Sequence, residues 1–551
     1  MNNLTAECNR RVRIRVNGAD YQVTQGTVLG DFVAGMAANF SERTVAAVIN
    51  NLPRSYHYRL TEPVDIELLG AYSREGLRTV RRTAEFILTK VAAELFPEHK
   101  LILQHNTPNG LYAEFADKVI NAAEVDRISR SMDMLIKDDI KINLQPTNLA
   151  AAVNIFRNQR QEEKIELLGY HGEELVSLFE LAGYYEYGLD LIGYSSGIVS
   201  EFKLLPYSDG LLLQLPNKTR CIPPYTEQKK LFQAYQDGEK WGKTLGVSTV
   251  ADLNRMTKNG GLNHLILVNE ALQEKQVMRI ADQICADPRV RVILISGPSS
   301  SGKTTFAKKL DIQLRANGKK PLAISLDDYF VNRQETPRDE RGEWDFEAFE
   351  AIDYRLFNEH LVSLLAGQEV IAPRFDFLTG VSHKGAVLMR VATGEPIIIE
   401  GIHALNKDLT AAIPAAQKFK IFVSAITHLN LDTDKPISTT DSRLLRRIVR
   451  DYRTRGDNAL NTIKRWPSVR RGEETNIFPH QEQADVFFNS YLTYELAVIK
   501  VLAMPLLMDI PVGAAERQDA LRLIELLSYV RAAFPNEIRI PFNSLLREFV
   551  G

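Results

Sequence analysis

The chain has 551 residues, 45% hydrophobic and 25% charged, with a formal net charge of −2. That length is too great for one compact core and predicts about three or four domains, at roughly 150 residues each. The composition excludes a disordered or fibrous chain, and the near-neutral balance excludes a global basic field that would draw it onto nucleic acid or an anionic membrane.

The three cysteines, Cys8, Cys221 and Cys285, are widely spaced and form no CxxC pair. That argues against a disulfide framework or a cysteine-only zinc site. The opening MNNLTAECNRRVRIRV is polar, without the apolar core of a signal peptide. No apolar run approaches the roughly 18 residues of a membrane span. A cytoplasmic protein with no membrane partner is expected.

Taken in chain order, residues 1–70 predict a small strand-rich unit. Val12, Ile14 and Val16 alternate with arginines, as in a half-buried strand. Asn17-Gly18 predicts a type I′ hairpin turn. A short helix is expected over 31–38, and strands over 46–49 and 64–69, a β-grasp pattern. Residues 71–215 predict an α+β unit. Ser73 is placed to cap a helix through Leu77, Val80, Ala84 and Leu88, and Asn109-Gly110 marks a turn. Residues 216–287 predict a helical connector, interrupted at Gly260-Gly261. Residues 288–551 predict a doubly wound parallel sheet: Val290 to Ile295 is a continuous apolar run, followed by a glycine-rich turn, an amphipathic helix closed by Asn317-Gly318, and further short apolar runs at 322–325, 397–399 and 421–423.

The strongest chemical signal is Gly297-Pro-Ser299-Ser300-Ser301-Gly302-Lys303-Thr304-Thr305, a G-x-x-x-x-G-K-[ST] match between a strand and a helix. Small residues let backbone N–H groups close on phosphate oxygens at a helix N-terminus. Lys303 would charge-pair with the β- and γ-phosphates, and the Thr304 hydroxyl would join a Mg²⁺ shell. The predicted cofactors are therefore ATP and Mg²⁺. Carboxylates at the ends of neighbouring strands are the next candidates, because ligands bind there in open α/β sheets. Asp327 and Asp328 follow the run 322–325, and Glu400 ends the run 397–399 in the position of a metal-holding acid. Arg443, Arg446, Arg447 and Arg450 recur at i, i+3, i+4 and i+7 and share one helix face. With Arg453 and Arg455 they suggest a lid that clamps phosphates.

Together these residues resemble the uridine kinase and phosphoribulokinase family over about residues 290–500. The likeness rests on GPSSSGKT, SLDDYF (325–330), WDFEAF (344–349), PRFDF (373–377), IIIEGIHAL (397–405) and RLLRRIVRD (443–451). The resemblance implies that Asp327 is the catalytic base for a ribose 5′-hydroxyl and that Asp345 binds the ribose hydroxyls. It places Phe375 and Phe377 beside a pyrimidine, with His383 reading the base, and puts Arg447 on the substrate side. Arg450 and Arg455 would be lid arginines near ATP. The pattern departs from the family at Phe375, where a Tyr is usual, at Asp457, where an Arg is usual, and over 466–488. A uridine or cytidine 5′-kinase is the expected activity. A kinase for another hydroxylated metabolite, such as a sugar phosphate, is the alternative, and an ATP-switched RNA-binding or sensing protein is the third reading.

Residues 1–70 resemble a TGS domain, and 71–215 resemble the editing domain of threonyl-tRNA synthetase, through REGLRTVRRTAEFILTKVAAELFP (74–97). In that family the helix carries H-x-x-x-H. Here the matching positions are Arg82 and Phe86, so zinc-dependent deacylation is expected to be lost. The resemblance leaves tRNA contact through this half and self-association as open partner readings.

Overall fold

The computed structural model describes residues 10–36, 43–172, 174–188, 191–340 and 342–551. Cys8 and the end of the helix expected over 31–38 lie outside the described residues. Asn17 and Gly18 both take left-handed backbone, φ 47° and 86°, which matches the twist of the strands they join. Those strands, Arg11–Val16 and Ala19–Thr24, are antiparallel, and Val64–Gly70 lies parallel to the first. Val12, Ile14 and Val16 are buried while the arginines between them face water. The strands Thr44–Ile49 and Leu52–Ser55 complete a five-stranded β-grasp sheet, with the helix Leu29–Ala34 packed on it.

The Ser73 side chain accepts from the Gly76 N–H and caps the helix Arg74–Leu95. Its buried middle, from Thr83 to Ala92, packs on an antiparallel sheet of Leu101–Thr107, Gly110–Phe115, Gly210–Gln214 and Lys203–Tyr207. A second small sheet joins Asn143–Asn148, Leu175–Leu181 and Tyr184–Tyr187. The connector forms three helices, Lys229–Leu245, Val250–Lys258 and Leu262–Ala286, with Gly260 in left-handed backbone where the last two separate. Leu265, Val277 and Ile280 share one apolar core with Ile293 and Ile295 of the parallel sheet. The long connector helix is thus one wall of the C-terminal unit.

That unit is built on five parallel strands in the order Leu322–Ser325, Ile397–Glu400, Val292–Ser296, Lys418–Ser424, Val486–Asn489. The strands Val292–Ser296 and Ile397–Glu400 and the Ile421–Ser424 part of the fourth are buried on both faces, as helices on both sides of a parallel sheet require. A hairpin, Val370–Asp376 with Val381–Met389, stands off the sheet. No described helix is long and apolar enough to cross a membrane.

The N-terminal half meets this unit through the buried segment 425–437. Asn430 donates through its side chain to the Leu103 carbonyl at 2.9 Å, and the Leu103 N–H donates to the Thr433 carbonyl at 2.8 Å. Below them, Lys164 donates to Asp434 at 2.6 Å and to Glu186 at 2.5 Å, Lys435 pairs with Glu186, and the Tyr187 hydroxyl donates to Asp432 at 2.5 Å. All of these groups are buried. Removing one cation from such a set leaves carboxylates uncompensated in low dielectric. Lys164→Ala should therefore destabilise the protein by about 3–5 kcal/mol, read as a lowered urea midpoint. A loss comparable to that of an exposed control such as Lys137→Ala would show that the network contributes no stability.

Candidate active site around the phosphate loop

The strand Val292–Ser296 runs straight into Gly297. A Cβ there would lie 2.0 Å from the Val423 carbonyl oxygen, so only glycine lets the turn pass this close to the next strand. Ser300 and Gly302 take left-handed backbone, φ 58° and 84°, and the helix Lys303–Ala316 begins immediately after. A turn of this kind aims successive N–H groups at one point, where the helix terminus adds positive potential. The Lys303 ammonium donates to the Pro298 carbonyl at 3.0 Å. Burial lowers its pKa, opposed by the nearby charges of Glu400, Asp327, Glu548 and Glu347.

Ser325 and Glu400 pair in register at the carboxyl ends of adjacent strands. The Ser325 hydroxyl donates to Glu400 at 2.8 Å and the Thr304 hydroxyl at 3.2 Å. Burial pushes the Glu400 carboxyl up to about 7; Asp327 adds to this and Lys303 opposes it. Asp327 lies in the turn Leu326–Tyr329 that follows the strand. Its charge acts on Lys303, Glu347, Glu400 and Arg455, which sets it among them. Burial also raises Asp328, which accepts from the Phe375 N–H and so ties the hairpin to the strand end.

Thr304 and Glu400, hydrogen-bonded to each other, make an oxygen donor pair, the type a hard divalent cation prefers. A buried carboxyl held near 7 is a group that such a cation would return to its ionised form. The residues therefore fit Mg²⁺. Among the described residues no group of three or more His, Cys, Asp or Glu could hold a metal alone, so phosphate oxygens and water must complete the shell, as is usual for this ion.

The arginine face behaves differently from a lid. On the helix Thr439–Thr454, Arg443, Arg446 and Arg447 are buried. Arg443 donates to the Ser299 carbonyl at 2.9 Å, Arg447 to the Ser299 hydroxyl at 2.7 Å, and Arg446 reaches the Ser300 carbonyl at 3.5 Å. Glu473 pairs with Arg443 and accepts from the Ser299 N–H at 3.0 Å, and Glu495 receives Arg446 at 2.5 Å. These guanidinium groups brace the outside of the phosphate loop. Only Arg450 and Arg455 remain toward the rim, both beside Asp451, at 2.7 and 3.8 Å.

Phe375, Phe377 and Phe330 form one aromatic cluster, with ring centroids 5.1 to 6.3 Å apart. The Arg455 guanidinium sits 4.8 Å over the Phe377 ring. His383 pairs with Arg374 across the hairpin, while Phe375 pairs with Ser382. Because side chains alternate along a strand, the exposed His383 lies on the face opposite Phe375. Asp345 accepts from the Glu347 N–H at 3.0 Å. Its neighbour Glu347 is the buried acid. Burial pushes it to about 7, with Arg447 and Lys303 opposing the rise.

Sequence reasoning missed three acids here: Glu347, Glu473 and Glu548. The last is near the chain's end. Its carboxylate accepts from the Thr305 N–H at 3.2 Å and from the Thr305 hydroxyl at 2.7 Å. Leu545 packs against Gly302 so closely that a Cβ there would stand 2.1 Å from its methyl group. In the N-terminal half, Arg82 donates to Glu85 at 2.7 Å, and Phe86 is buried 6.2 Å from the Tyr184 ring.

Residues 292–497 match the model of the Phosphoribulokinase / Uridine kinase family. The chain is 30% identical over 218 residues to the uridine kinase of Halalkalibacterium halodurans, covering 39% of this chain and 94% of that protein. It is 28% identical over 193 residues to the uridine kinase of Halobacterium salinarum, covering 35% of this chain and 76% of that one. The N-terminal part matches the threonine–tRNA ligase of Clostridium novyi, 24% identical over 166 residues and 30% of this chain; the match spans only 26% of the ligase's length.

Two outcomes follow from this geometry. The folded Glu347 carboxyl sits at about 7 rather than near its ordinary 4.5, so its contribution to stability is present below about pH 4.5 and is lost as pH rises through about 7. Glu347→Gln should remove that loss, gaining up to about 3 kcal/mol over wild type between pH 5 and pH 8; parallel melting curves would refute it. Glu548→Ala should free the Thr305 N–H and tighten ATP binding by about twofold to fivefold, the scale of one charge at a helix terminus. Weaker binding, measured by titration calorimetry, would mean that Glu548 helps to build the site.

Proposed function

The chain belongs to the Phosphoribulokinase / Uridine kinase family, and on that premise we propose that it transfers the γ-phosphoryl group of ATP to the 5′-hydroxyl of a nucleoside, uridine or cytidine. The observation that carries this reading is the position of Asp327. It stands within electrostatic reach of Lys303, Glu400 and Arg455, and the turn that holds it packs on the strand carrying the Phe375/Phe377 cluster. A base, a phosphate clamp and a flat apolar slot thus share one mouth.

Mg²⁺, if bound, would supply positive charge to offset the charge that builds on the phosphate oxygens. The rest is the work of the chain. Thr304 and Glu400 offer oxygens to the ion. The Gly297–Thr305 turn and Lys303 hold the β- and γ-phosphates in line. Asp327 accepts the acceptor's proton as its oxygen bonds to the γ-phosphorus and the bond to the β-bridging oxygen breaks. Arg455 and Arg450, at the rim, are placed to meet charge on the leaving phosphate. Phe375 and Phe377 offer ring faces to a base, and Asp345 has a second carboxylate oxygen for a ribose hydroxyl.

A second reading has its own observation. Arg333 donates to the Phe377 carbonyl at 3.1 Å, so a guanidinium group flanks the slot while His383 faces away. That arrangement suits an acceptor already carrying a phosphate. Both readings are tested by measuring ADP release with a panel of nucleosides and sugar phosphates. Turnover with uridine or cytidine, lowered by about 10²–10⁴ in Asp327→Asn with ATP binding kept, is the expected result. Turnover only with a phosphorylated sugar would move the substrate, and full activity in Asp327→Asn would remove Asp327 from the chemistry.

A further inference from the structure

Residues 544–551 pack against the start of the helix Lys303–Ala316. Leu545, Leu546 and Phe549 are buried in the apolar core of the C-terminal unit, and the Ser544 hydroxyl donates to Glu270 at 2.5 Å. The Arg446 guanidinium lies 4.9 Å over the Phe549 ring, and Arg453 donates to the Phe549 carbonyl at 3.0 Å. Both arginines belong to the helix Thr439–Thr454, and Arg446 also reaches the Ser300 carbonyl. The segment and the phosphate loop therefore rest on the same support.

That seat brings the short helix Arg547–Val550 to the loop with the Glu548 carboxylate on Thr305. The Thr305 N–H donates to it at 3.2 Å and the Thr305 hydroxyl at 2.7 Å. The first N–H groups of a helix have no partner within the helix, and in a G-x-x-x-x-G-K-[ST] turn they are the donors that cradle phosphate oxygens. An ionised carboxylate, like a phosphate, only accepts. Glu548 thus stands in for a phosphate oxygen that the chain supplies itself. Thr305 has one hydrogen on its nitrogen and one on its hydroxyl, and both are spent on Glu548. A phosphate cannot take either one until the carboxylate leaves, and two anions so close repel each other.

The other acid on the loop is of a different kind. Glu473, which takes the Ser299 N–H, is fully buried and paired with Arg443 and Arg470, so it is fixed in place. Glu548 is half-buried, and the residues just before its segment, Phe542 and Asn543, are exposed. Little packing is lost there if the turn that carries Glu548 moves.

We propose that residues 544–551 form an autoinhibitory latch, in which Glu548 holds the Thr305 donors of the resting chain and ATP binds as this carboxylate is displaced. The latch rests on the reading of the phosphate loop as the ATP site and adds a competitor built into the chain. The coupling is reciprocal: the factor by which Glu548 weakens ATP binding is the factor by which ATP loosens Glu548.

Hydrogen exchange on the full-length chain reads the latch. The N–H groups of Phe549 and Val550 donate to the Leu546 carbonyl and that of Gly551 to the Arg547 carbonyl, each at 3.0 Å, so their exchange reports whether the segment stays seated. Saturating MgATP, with binding followed by calorimetry, should speed this exchange about twofold to fivefold, the scale of one charge at a helix terminus. In Glu548→Ala the same addition should leave the exchange unchanged, because the segment then carries no competing anion. ATP that binds the wild type while exchange of the segment stays the same or slows overturns the latch and makes the segment a wall of the nucleotide site. A rise that persists in full in Glu548→Ala also overturns it, since the carboxylate is then not the competitor. If calorimetry shows no ATP binding to the wild type, the reading of the loop itself fails and the latch falls with it.

Discussion

Everything near the phosphate loop depends on how the segment 425–437 is held. It leaves the end of the strand Lys418–Ser424 and delivers the chain to the helix Thr439–Thr454. It is buried at every residue but the half-buried Pro436, yet it contains Asp432, Asp434 and Lys435. Charges in such a place are tolerated only with partners in good geometry. Those partners, Lys164, Glu186 and Tyr187, belong to the N-terminal half. The C-terminal unit therefore does not complete its own interior. The entry point of its arginine helix is set by side chains more than two hundred residues upstream. A purely apolar seam would hold the halves together as well, but with less control of register. The ionic set fixes which residue of the segment meets which residue of the partner surface.

From that anchored start, the arginine helix acts on the loop mechanically. Arg443 and Arg446 are long side chains buried almost completely, and each joins a carboxylate on one side to a loop carbonyl on the other. Lysine would offer a point charge in the same place. Guanidinium offers a planar fork that bonds two partners at fixed angles. The loop's outer carbonyls at Ser299 and Ser300 are thereby spoken for, and Glu473 takes the Ser299 N–H on the same side. The C-terminal end closes the circle. Ser544 and Tyr494 both donate to Glu270 on the long connector helix, at 2.5 and 2.6 Å, and this seats Leu545 and Glu548 against Gly302 and Thr305. Connector, tail and loop form one mechanical chain.

What could be read from the residues alone follows from range. The Asn17-Gly18 turn, the Ser73 cap, the Gly260 break and the Gly297–Thr304 turn are all decided within a few residues, and each stands where local chemistry puts it. The strand-end acids Asp327 and Glu400 were legible for a related reason: parallel-sheet topology brings carboxyl ends together whatever the intervening loops do. The arginine face was legible as a face. What it faces was not, because Glu473 and Glu495 lie 30 and 49 residues away and mark no motif with it. Glu548 had no signal at all, since a lone glutamate beside Phe549 reads as surface. At 345–347 the register of the turn decides. Asp345 spends one oxygen on the Glu347 N–H, and that bond turns Glu347 inward.

The balance of charge inside the mouth explains why these acids are left uneasy. Glu347 and Glu400 are held near 7 by burial, with Asp327 between them. Lys303 is held down by the same burial. Each group alone would be cheaper in water. A bound divalent cation would favour the ionised carboxylates, and bound phosphate oxygens would favour the ammonium, so burial of these groups is offset on both sides when both are present.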